Sequence, residues 1–466
     1  MKRPFLMLLP GLLAAAAAAP ALTGLQLERS YRAAVDQMIG AGLTVVRSEY
    51  QRGWLSSKAE TDLLLVIPAG DEQGVGKELV LTLRNRIDHG PLVPDGAILM
   101  GRMETYFLAN GDSIYPPQQR ALVSTRLALL GRNTTTAVDL PARMIAEADD
   151  HPGVEFQGLA GELRFDETRD SLAGKLEMTG LTLVKDGQPV MRLRGVTANW
   201  KMRRGVGGLL FGDAALGLES GEIADPVQGT RVSLQGFAVE SVSSVLDDNV
   251  EMRLRYNLAM ASVGHRDYGP AEVRVHLGNL SAQVLGRIRE SLAETKARNL
   301  DQQSRSLAAL GILMTNAPLL LRNDPNFAIE RLHLETPDGT LEGSLSVQAQ
   351  GMVWPASDPG EVLSKLNAAA SLRLPESVFR SLLEPGARQR TTVALEARRQ
   401  AGKPVEETGE GQREQDIHRM VEQQLADIIG QGILLRNGQE LTFSATLRDG
   451  RLEVNGRDFP LPLAPR

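Results

Sequence analysis

An eleven-residue stretch in the middle of the chain alternates between apolar and polar side chains. Its apolar residues share one parity: Val250, Met252, Leu254, Tyr256, Leu258 and Met260. Glu251, Arg253, Arg255 and Asn257 lie between them. Side chains of a β-strand point alternately to its two faces, so this stretch predicts a strand with one apolar and one charged face. At about 3.3 Å per residue it would be roughly 36 Å long, about twice the usual strand length.

The same alternation recurs on both sides of this strand. Between residues 161 and 280, candidate strands follow one another with glycine-rich turns between them, which is typical of an antiparallel all-β layout. Gly180 and Gly236 lie where the alternation changes parity, which predicts bends or bulges. We therefore predict a mainly β (α+β) fold built from a long antiparallel β-meander. Two arrangements stay open: a closed, dry core, or a curved, groove-like sheet whose apolar residues line an open surface.

Helical periodicity interrupts the strands in a few places. The pattern predicts one long helix over 281–321, with Leu285, Ile288 and Leu292 on one side. The second half of that helix is mostly apolar, but it is too short and too polar to predict a second membrane span. Short helices are predicted at 359–366 and 375–383, and a further amphipathic helix and a closing hairpin end the chain.

The amino terminus predicts export. The basic pair Lys2-Arg3 precedes an uncharged run from Pro4 to Leu22 that contains an alanine tract. We predict an uncleaved signal anchor, with a cleaved signal peptide as the alternative. In both cases the positive-inside rule keeps the basic pair in the cytoplasm and places the remainder outside. Four segments follow: a signal anchor or signal peptide (1–24), an N-terminal β-rich domain (25–280), the long helix (281–321), and C-terminal strands, helices and hairpin (322–466).

Composition excludes several classes of function. The 466 residues include no cysteine, which rules out disulfides, thiolate catalysis and zinc–thiolate sites. The 51 basic and 57 acidic residues give a net charge of −6, too balanced to indicate a nucleic-acid partner. None of the six histidines lies three or four residues from another, so no metal motif is present. We predict no metal and no cofactor.

Asp88-His89 is the one pair that could carry acid–base chemistry. Adjacent residues of a strand point to opposite faces, so proximity in sequence does not make them a dyad. The preferred interpretation is structural: Asp88 caps a turn or pairs with Arg52 or Arg86, and His89 packs beside Gly90. A hydrolase with an Asp88–His89 site remains the enzymatic alternative, and no catalytic residue is assigned.

Two short motifs carry a family resemblance. Residues 50–57 read Tyr-Gln-Arg-Gly-Trp-Leu-Ser-Ser, and residues 87–92 read Ile-Asp-His-Gly-Pro-Leu. Together with Thr23-Gly24 and with segments 318–325 and 447–456, they make the whole chain resemble the YdgA-type family of bacterial envelope proteins of unknown function. The resemblance implies a periplasmic protein anchored in the inner membrane, able to form a homodimer, and it supplies no catalytic residue. The specific motif residues, whose role is unknown, are Arg52, Gly53, Trp54, Asp88, His89, Gly90 and Pro91.

These observations predict a non-enzymatic cell-envelope protein on the periplasmic side of the inner membrane. A binding or scaffold role is expected, and the form of binding that we predict is lipid handling in the periplasm. The six apolar residues of the 250–260 strand are the candidate groove lining. The expected partners are the inner membrane, through the N-terminal segment, lipid, and a second copy of the chain. A dimeric envelope assembly factor is the second alternative function beside the hydrolase.

Overall fold

The fold is described from a computed structural model and is mostly β, with antiparallel pairing and an open sheet. The structure describes residues 4–40, 43–67, 77–109, 111–115, 122–129, 133–147, 153–225, 230–297, 302–352, 359–400 and 410–460. The helices within them are α1 (Pro4–Gly40), α2 (Ala282–Ala297), α3 (Gln302–Leu320), α4 (Pro359–Ser364), α5 (Glu376–Gln400) and α6 (Glu410–Gly430).

The strands follow the chain in two groups. The first group is β1 (Thr44–Arg52), β2 (Ser56–Ile67), β3 (Lys77–His89), β4 (Leu99–Ala109), β5 (Asp112–Ser113), β6 (Leu122–Ala128), β7 (Asn133–Leu140), β8 (Arg143–Ile145), β9 (Gly153–Phe156), β10 (Leu159–Asp166), β11 (Ser171–Lys185), β12 (Gln188–Arg204) and β13 (Leu210–Asp225). The second group is β14 (Thr230–Leu246), β15 (Asn249–Leu258), β16 (Met260–Val263), β17 (Arg266–Tyr268), β18 (Ala271–Ser281), β19 (Asn326–Thr336), β20 (Gly339–Ala349), β21 (Leu366–Pro375), β22 (Leu435–Asn437), β23 (Glu440–Arg448), β24 (Arg451–Val454) and β25 (Arg457–Phe459).

The chain forms two compact units. Unit 1 comprises Met1–Gly229 and Leu285–Asn316, and unit 2 comprises Thr230–Val284 and Ala317–Arg466. The predicted N-terminal β-rich segment 25–280 contributes strands to both units. Such a division depends on which strands contact one another. Local sequence patterns identify single strands and do not predict those contacts.

Each unit contains an antiparallel sheet with a simple order. In unit 1 the order is β1, β2, β3, β4, β6, β7, β10, β11, β12 and β13. In unit 2 the order is β14, β15, β18, β19, β20, β21, β23, β24 and β25, with β16 continuing β15 alongside β14. Neighbouring strands are mostly consecutive in the chain, which is the predicted meander.

The register separates an apolar from a charged face in each sheet. In unit 1, Phe165 of β10 pairs with Leu172 of β11, which pairs with Met202 of β12. Their neighbours in sequence lie on the other face, where Arg164 meets Glu162 at 2.6 Å. In unit 2 the residues Leu254, Val275, Ile329 and Leu345 continue one another across β15, β18, β19 and β20. The predicted alternation therefore extends across whole sheets.

The predicted strand over 250–260 is not continuous. It is divided into β15 and β16, and Ala259 lies between them. The amide of Ala259 donates to the carbonyl oxygens of Gln235 and Gly236 on β14, at 3.1 and 3.3 Å. Gly236 has φ +60°, a backbone conformation that glycine adopts without strain, so the bend predicted there is confirmed. Gly180, in contrast, pairs in register with Arg194.

The helices also differ from the prediction. The single long helix expected over 281–321 corresponds to two helices, α2 and α3, and residues 298–301 lie outside the described part of the chain. The helix expected to end at Leu383 continues as the 25-residue α5, although it contains Pro385. Ala387 of α5 is fully buried in a cluster with Ile417 and Val421 of α6. Tertiary packing against α6 outweighs the local helix-breaking signal at Pro385.

One helical stretch has the length and composition of a membrane span. Within the described residues this stretch is Ser304–Asn323, which has a mean hydropathy of 1.2. The N-terminal helix is not identified in the same way, so the predicted membrane anchor is not confirmed. Residues 20–35 of α1 instead pack on the sheet of unit 1, as described next.

Candidate functional site

One face of α1 is buried against the sheet of unit 1. Pro20, Gly24, Leu27 and Val35 are buried, and Tyr31 is half-buried. Their spacing of three or four residues places them on one side of a helix. Leu27 joins a buried cluster with Ala59, Ile87 and Met100 of the sheet. The helix therefore includes residues on both sides of position 24, where the predicted anchor segment ends, and it forms part of the unit 1 core.

The two sequence motifs meet under this helix. The hydroxyl of Thr23 lies 3.1 Å from the carbonyl oxygen of Gly90, to which it can donate. A Cβ atom on Gly24 would lie 2.5 Å from Cε1 of His89, so only glycine permits the observed approach. We call the site formed by Thr23, Gly24, Ser57, His89 and Gly90 the α1 socket.

His89 joins the first motif to the second. Its ring nitrogen Nδ1 lies 3.1 Å from the carbonyl oxygen of Trp54, and its Nε2 lies 2.8 Å from Oγ of Ser57. A carbonyl oxygen can only accept, so Nδ1 carries a proton, and in the neutral ring Nε2 accepts from the Ser57 hydroxyl. The backbone amide of His89 donates to Leu55 at 2.8 Å. Both ring nitrogens and the backbone amide of the buried His89 therefore have hydrogen-bond partners in residues 54–57.

The other motif residues support the same contact. Arg52 forms an ion pair with Glu28 of α1 at 3.4 Å, while Asp88 lies 3.5 Å from Arg86 on the charged face. The amide of Gly53 donates to Ser56, and the carbonyl oxygen of Pro91 accepts from Leu99. The Trp54 side chain is 61% exposed, so it contributes its backbone to the socket. The motif residues thus form two turns, after β1 and after β3, and α1 packs against them.

The pairing of Ser57 with His89 was missed from the sequence. At 2.8 Å it has the geometry by which a histidine activates a serine nucleophile. However, Ser57 and His89 are only 2% and 3% exposed, and Nδ1 of His89 faces a backbone carbonyl rather than a carboxylate. The Asp88 carboxylate lies on the opposite face. The arrangement is therefore that of a satisfied buried polar network.

A second polar network lies further along α1. The Tyr31 hydroxyl is 2.7 Å from Oγ1 of Thr61 and accepts from the Asn85 amide at 3.2 Å. The ring of Tyr31 packs against Tyr50, with centroids 5.5 Å apart. Burial raises the pKa of the Tyr50 hydroxyl, an effect that the neighbouring Ser57 hydroxyl partly opposes. Two polar networks therefore flank the apolar contact of Leu27.

A cavity of about 540 Å³ lies between α1 and the apolar face of the sheet. Its lining is mostly apolar and comes from α1, from β3, β4, β6, β7 and β10, and from the turn that follows β10. The lining residues include Leu27, Ala34, Met100, Met103, Leu127 and Phe165. A volume of roughly 300–1,000 Å³ is typical of sites for small ligands.

Beyond this cavity the described apolar face of unit 1 is only partly buried. From residue 122 to residue 225, no apolar side chain in the described part of the chain is fully buried. Phe165 and Leu216 are 38% and 45% exposed. In a closed sandwich such residues would be buried against a second layer. The described strands of unit 1 therefore form the open arrangement rather than the dry core.

The predicted groove residues of unit 2 show a similar partial exposure. Val250 is 3% exposed and Tyr256 is 37% exposed. The remaining four are half-buried: Met252, Leu254, Leu258 and Met260. At the far end of this sheet, α6 does cover the apolar face, where Leu425 packs with Leu374 and Leu441. The residues of unit 2 that pack against α6 are therefore covered, whereas five of the six predicted groove residues keep part of their surface exposed.

Among the described residues, no group of three His, Asp or Glu side chains could hold a metal ion.

Comparison with known proteins assigns the chain to a family. No curated protein and no solved structure matches the chain. A family model described as a bacterial protein of unknown function (DUF945) matches residues 1–462. The chain therefore belongs to the bacterial DUF945 family.

Proposed function

We propose that this protein is a non-enzymatic component of the bacterial cell envelope that binds lipid acyl chains on the apolar face of its sheet. The observation that carries the proposal is the open apolar face of unit 1, together with the cavity of about 540 Å³ at its α1 end. An uncovered apolar surface of this kind is unfavourable in water and is typical of a binding site.

The distribution of charge favours an acyl chain over a polar ligand. Ion pairs between strand residues of unit 1 lie on the opposite face, for example Arg84 with Glu60 at 2.7 Å and Arg102 with Glu104 at 2.7 Å. The cavity lining includes one charged residue, Glu167. Sites for charged small molecules usually present several convergent polar or charged groups. The other polar lining residues here are uncharged: Gln26, Ser30, Tyr31, Thr125 and Thr134.

The location belongs to the same proposal. We propose that the protein is a YdgA-type protein, held in the inner membrane by its N-terminal segment with the sheet on the periplasmic side. In support, α1 begins at Pro4 and continues without interruption to Gly40, so the apolar start and the part of α1 that packs on the sheet belong to one helix. Movement of lipid between that membrane and the cavity would then follow α1.

A matched pair of substitutions on β10 tests lipid binding. Phe165→Lys places a charge at the cavity lining, whereas Ala160→Lys places the same charge on the exposed, charged face of the same strand. The full-length protein would be purified in detergent, and co-purifying lipid would be quantified by native mass spectrometry. We expect Phe165→Lys to lower the bound lipid and Ala160→Lys to leave it unchanged.

Absence of bound lipid in the parent protein would overturn the proposal. If crosslinking then joined two chains through the apolar face, the dimeric assembly factor would be supported instead. The Ser57–His89 pair is the observation that favours a hydrolase. Ser57→Ala tests it, because loss of a cellular phenotype without loss of thermal stability would support catalysis.

A further inference from the structure

Helix α3 presents large apolar side chains to solvent. Leu307, Leu310, Leu313 and Met314 are 63%, 56%, 47% and 68% exposed. No part of the apolar window within Ser304–Asn323 is buried. Scattered exposed apolar residues are ordinary, but four on a stretch of two helical turns form a continuous patch that marks an interaction surface.

Two polar side chains in the second half of α3 form hydrogen bonds within the helix. Oγ1 of Thr315 donates to the carbonyl oxygen of Gly311 at 2.8 Å, and Nδ2 of Asn316 donates to Ile312 at 2.8 Å. These bonds are made within the helix, so each side chain keeps one hydrogen bond in an apolar surrounding. They lower the cost of placing Thr315 and Asn316 near lipid.

The charges of this stretch select the partner. Between Ser304 and Asn323 the charged residues are Arg305 and Arg322, and there is no acidic residue. Both arginines are exposed, and 17 residues of helix place them about 26 Å apart. Basic residues that flank an apolar stretch complement anionic lipid headgroups, and long arginine side chains can reach the headgroups from an apolar patch.

The strand pairing rules out a single crossing of the membrane. The α2–α3 segment connects β18 to β19, and these strands are paired directly, with Gly278 opposite Asn326. If α3 crossed once, paired residues would lie on opposite sides of the bilayer. A return crossing by α2 is excluded by its 16-residue length and its charges, which are Arg287, Arg289, Glu290, Glu294 and Lys296.

We propose that α3 lies in the plane of a bilayer surface that contains anionic lipid, with Leu307, Leu310 and Met314 inserted below the headgroups. This contact is separate from the N-terminal segment, and it stands whether or not the sheet binds lipid. It gives the protein a second attachment to the membrane, of the in-plane type formed by interfacial helices.

The absence of cysteine permits a direct test. Leu310→Cys in the full-length protein would be labelled with an environment-sensitive fluorophore, and Ala160→Cys on the charged face of β10 would serve as control. Both proteins would be reconstituted into vesicles of phosphatidylethanolamine and phosphatidylglycerol containing nitroxide-labelled lipid. We expect a blue shift and strong quenching at position 310, no change at position 160, and a smaller response in pure phosphatidylcholine.

Two further results would overturn the proposal. One is a position-310 label that remains as exposed to water as the position-160 label in the same vesicles. The other is a blue shift without lipid that grows with protein concentration, which would identify a second copy as the partner. A fluorophore at Leu307→Cys should lose its blue shift and its quenching by nitroxide-labelled lipid when Leu310→Glu and Met314→Glu are added. The Phe165→Lys substitution changes the sheet and leaves α3 unchanged. In that background the position-310 label should still report insertion into the vesicles, even if lipid binding by the sheet is lost.

Discussion

Gly24 illustrates how a single residue controls the contact between α1 and the sheet. Glycine normally weakens a helix interior by about 1 kcal/mol relative to alanine, so its presence in the middle of α1 needs a cause. The cause is His89, whose imidazole ring occupies the space that a side chain at position 24 would need. That ring is held by Ser57 and by the Trp54 carbonyl, so it cannot move aside without losing hydrogen bonds.

Gly24→Ala and Gly311→Ala should therefore have opposite effects on stability. A Cβ at position 311 would meet no atom within 4 Å, so that substitution should stabilise the protein by up to about 1 kcal/mol. A Cβ at position 24 should destabilise it by about 1–3 kcal/mol through overpacking. Denaturant unfolding measures both free energies. Equal effects of the two substitutions would contradict the close contact at the α1 socket.

Tyr50 should make stability depend on pH in the alkaline range. Because burial raises its pKa in the folded state, its contribution is fully present below the unfolded pKa of about 10 and is lost as the pH rises through the folded value. Tyr50→Phe should then lose less stability than the parent between about pH 8 and about pH 11. Burial also raises the pKa of Tyr115, so Tyr115→Phe should show a similar, additive effect in the same unfolding titration.

At the scale of elements, helices decide which part of each apolar face is covered. In unit 1, α1 covers the face near Ile87 and Met100. In unit 2, α6 covers the face where Leu374 and Leu441 meet Leu425. Elsewhere the strands hold their register through backbone pairing and through charged clusters on the other face, such as Glu272 with Arg255, Arg274 and Arg331. Hydrogen bonds from Arg274 and, to a lesser extent, from Arg255 lower the pKa of Glu272.

The covered end of unit 2 should respond strongly to loss of packing. Leu425 is 1% exposed, so Leu425→Ala should cost about 2–5 kcal/mol through lost burial and the cavity that remains. Leu382 on the neighbouring α5 is 63% exposed, and Leu382→Ala should change stability by less than about 0.5 kcal/mol. Hydrogen exchange should show the Leu425→Ala effect in β21, β23 and α6. Uniform loss of protection across both units would contradict the division of the chain.

At the scale of the whole molecule, the chain repeats one plan in two compact units. Each unit has an antiparallel sheet with a charged face and an apolar face, and in each a helix covers part of the apolar face. The sheet order is mostly sequential, so most strand contacts form between neighbours in the chain. This plan leaves apolar surface in contact with solvent, which is the basis of the proposed lipid binding.

Much of the fold was predictable because it depends on local chemistry. Alternation with a period of two identified the strands and their faces, since successive side chains of a strand point in opposite directions. Turn residues such as Gly236 identified a bend. The sequence predicts the motif residues as a set, but it relates His89 only to Asp88, its neighbour in the chain. The register of β2 and β3 instead places Ser57 within reach of His89.

The sequence by itself determined that the strands have apolar faces, and that the chain has no cysteine chemistry. Only the tertiary structure decided what lies against those faces. The bend at Ala259, the contact of Gly24 with His89 and the exposure of Phe165 all depend on residues far apart in the chain. Periodicity specifies the direction of a side chain relative to its own backbone, whereas burial depends on which distant element packs there.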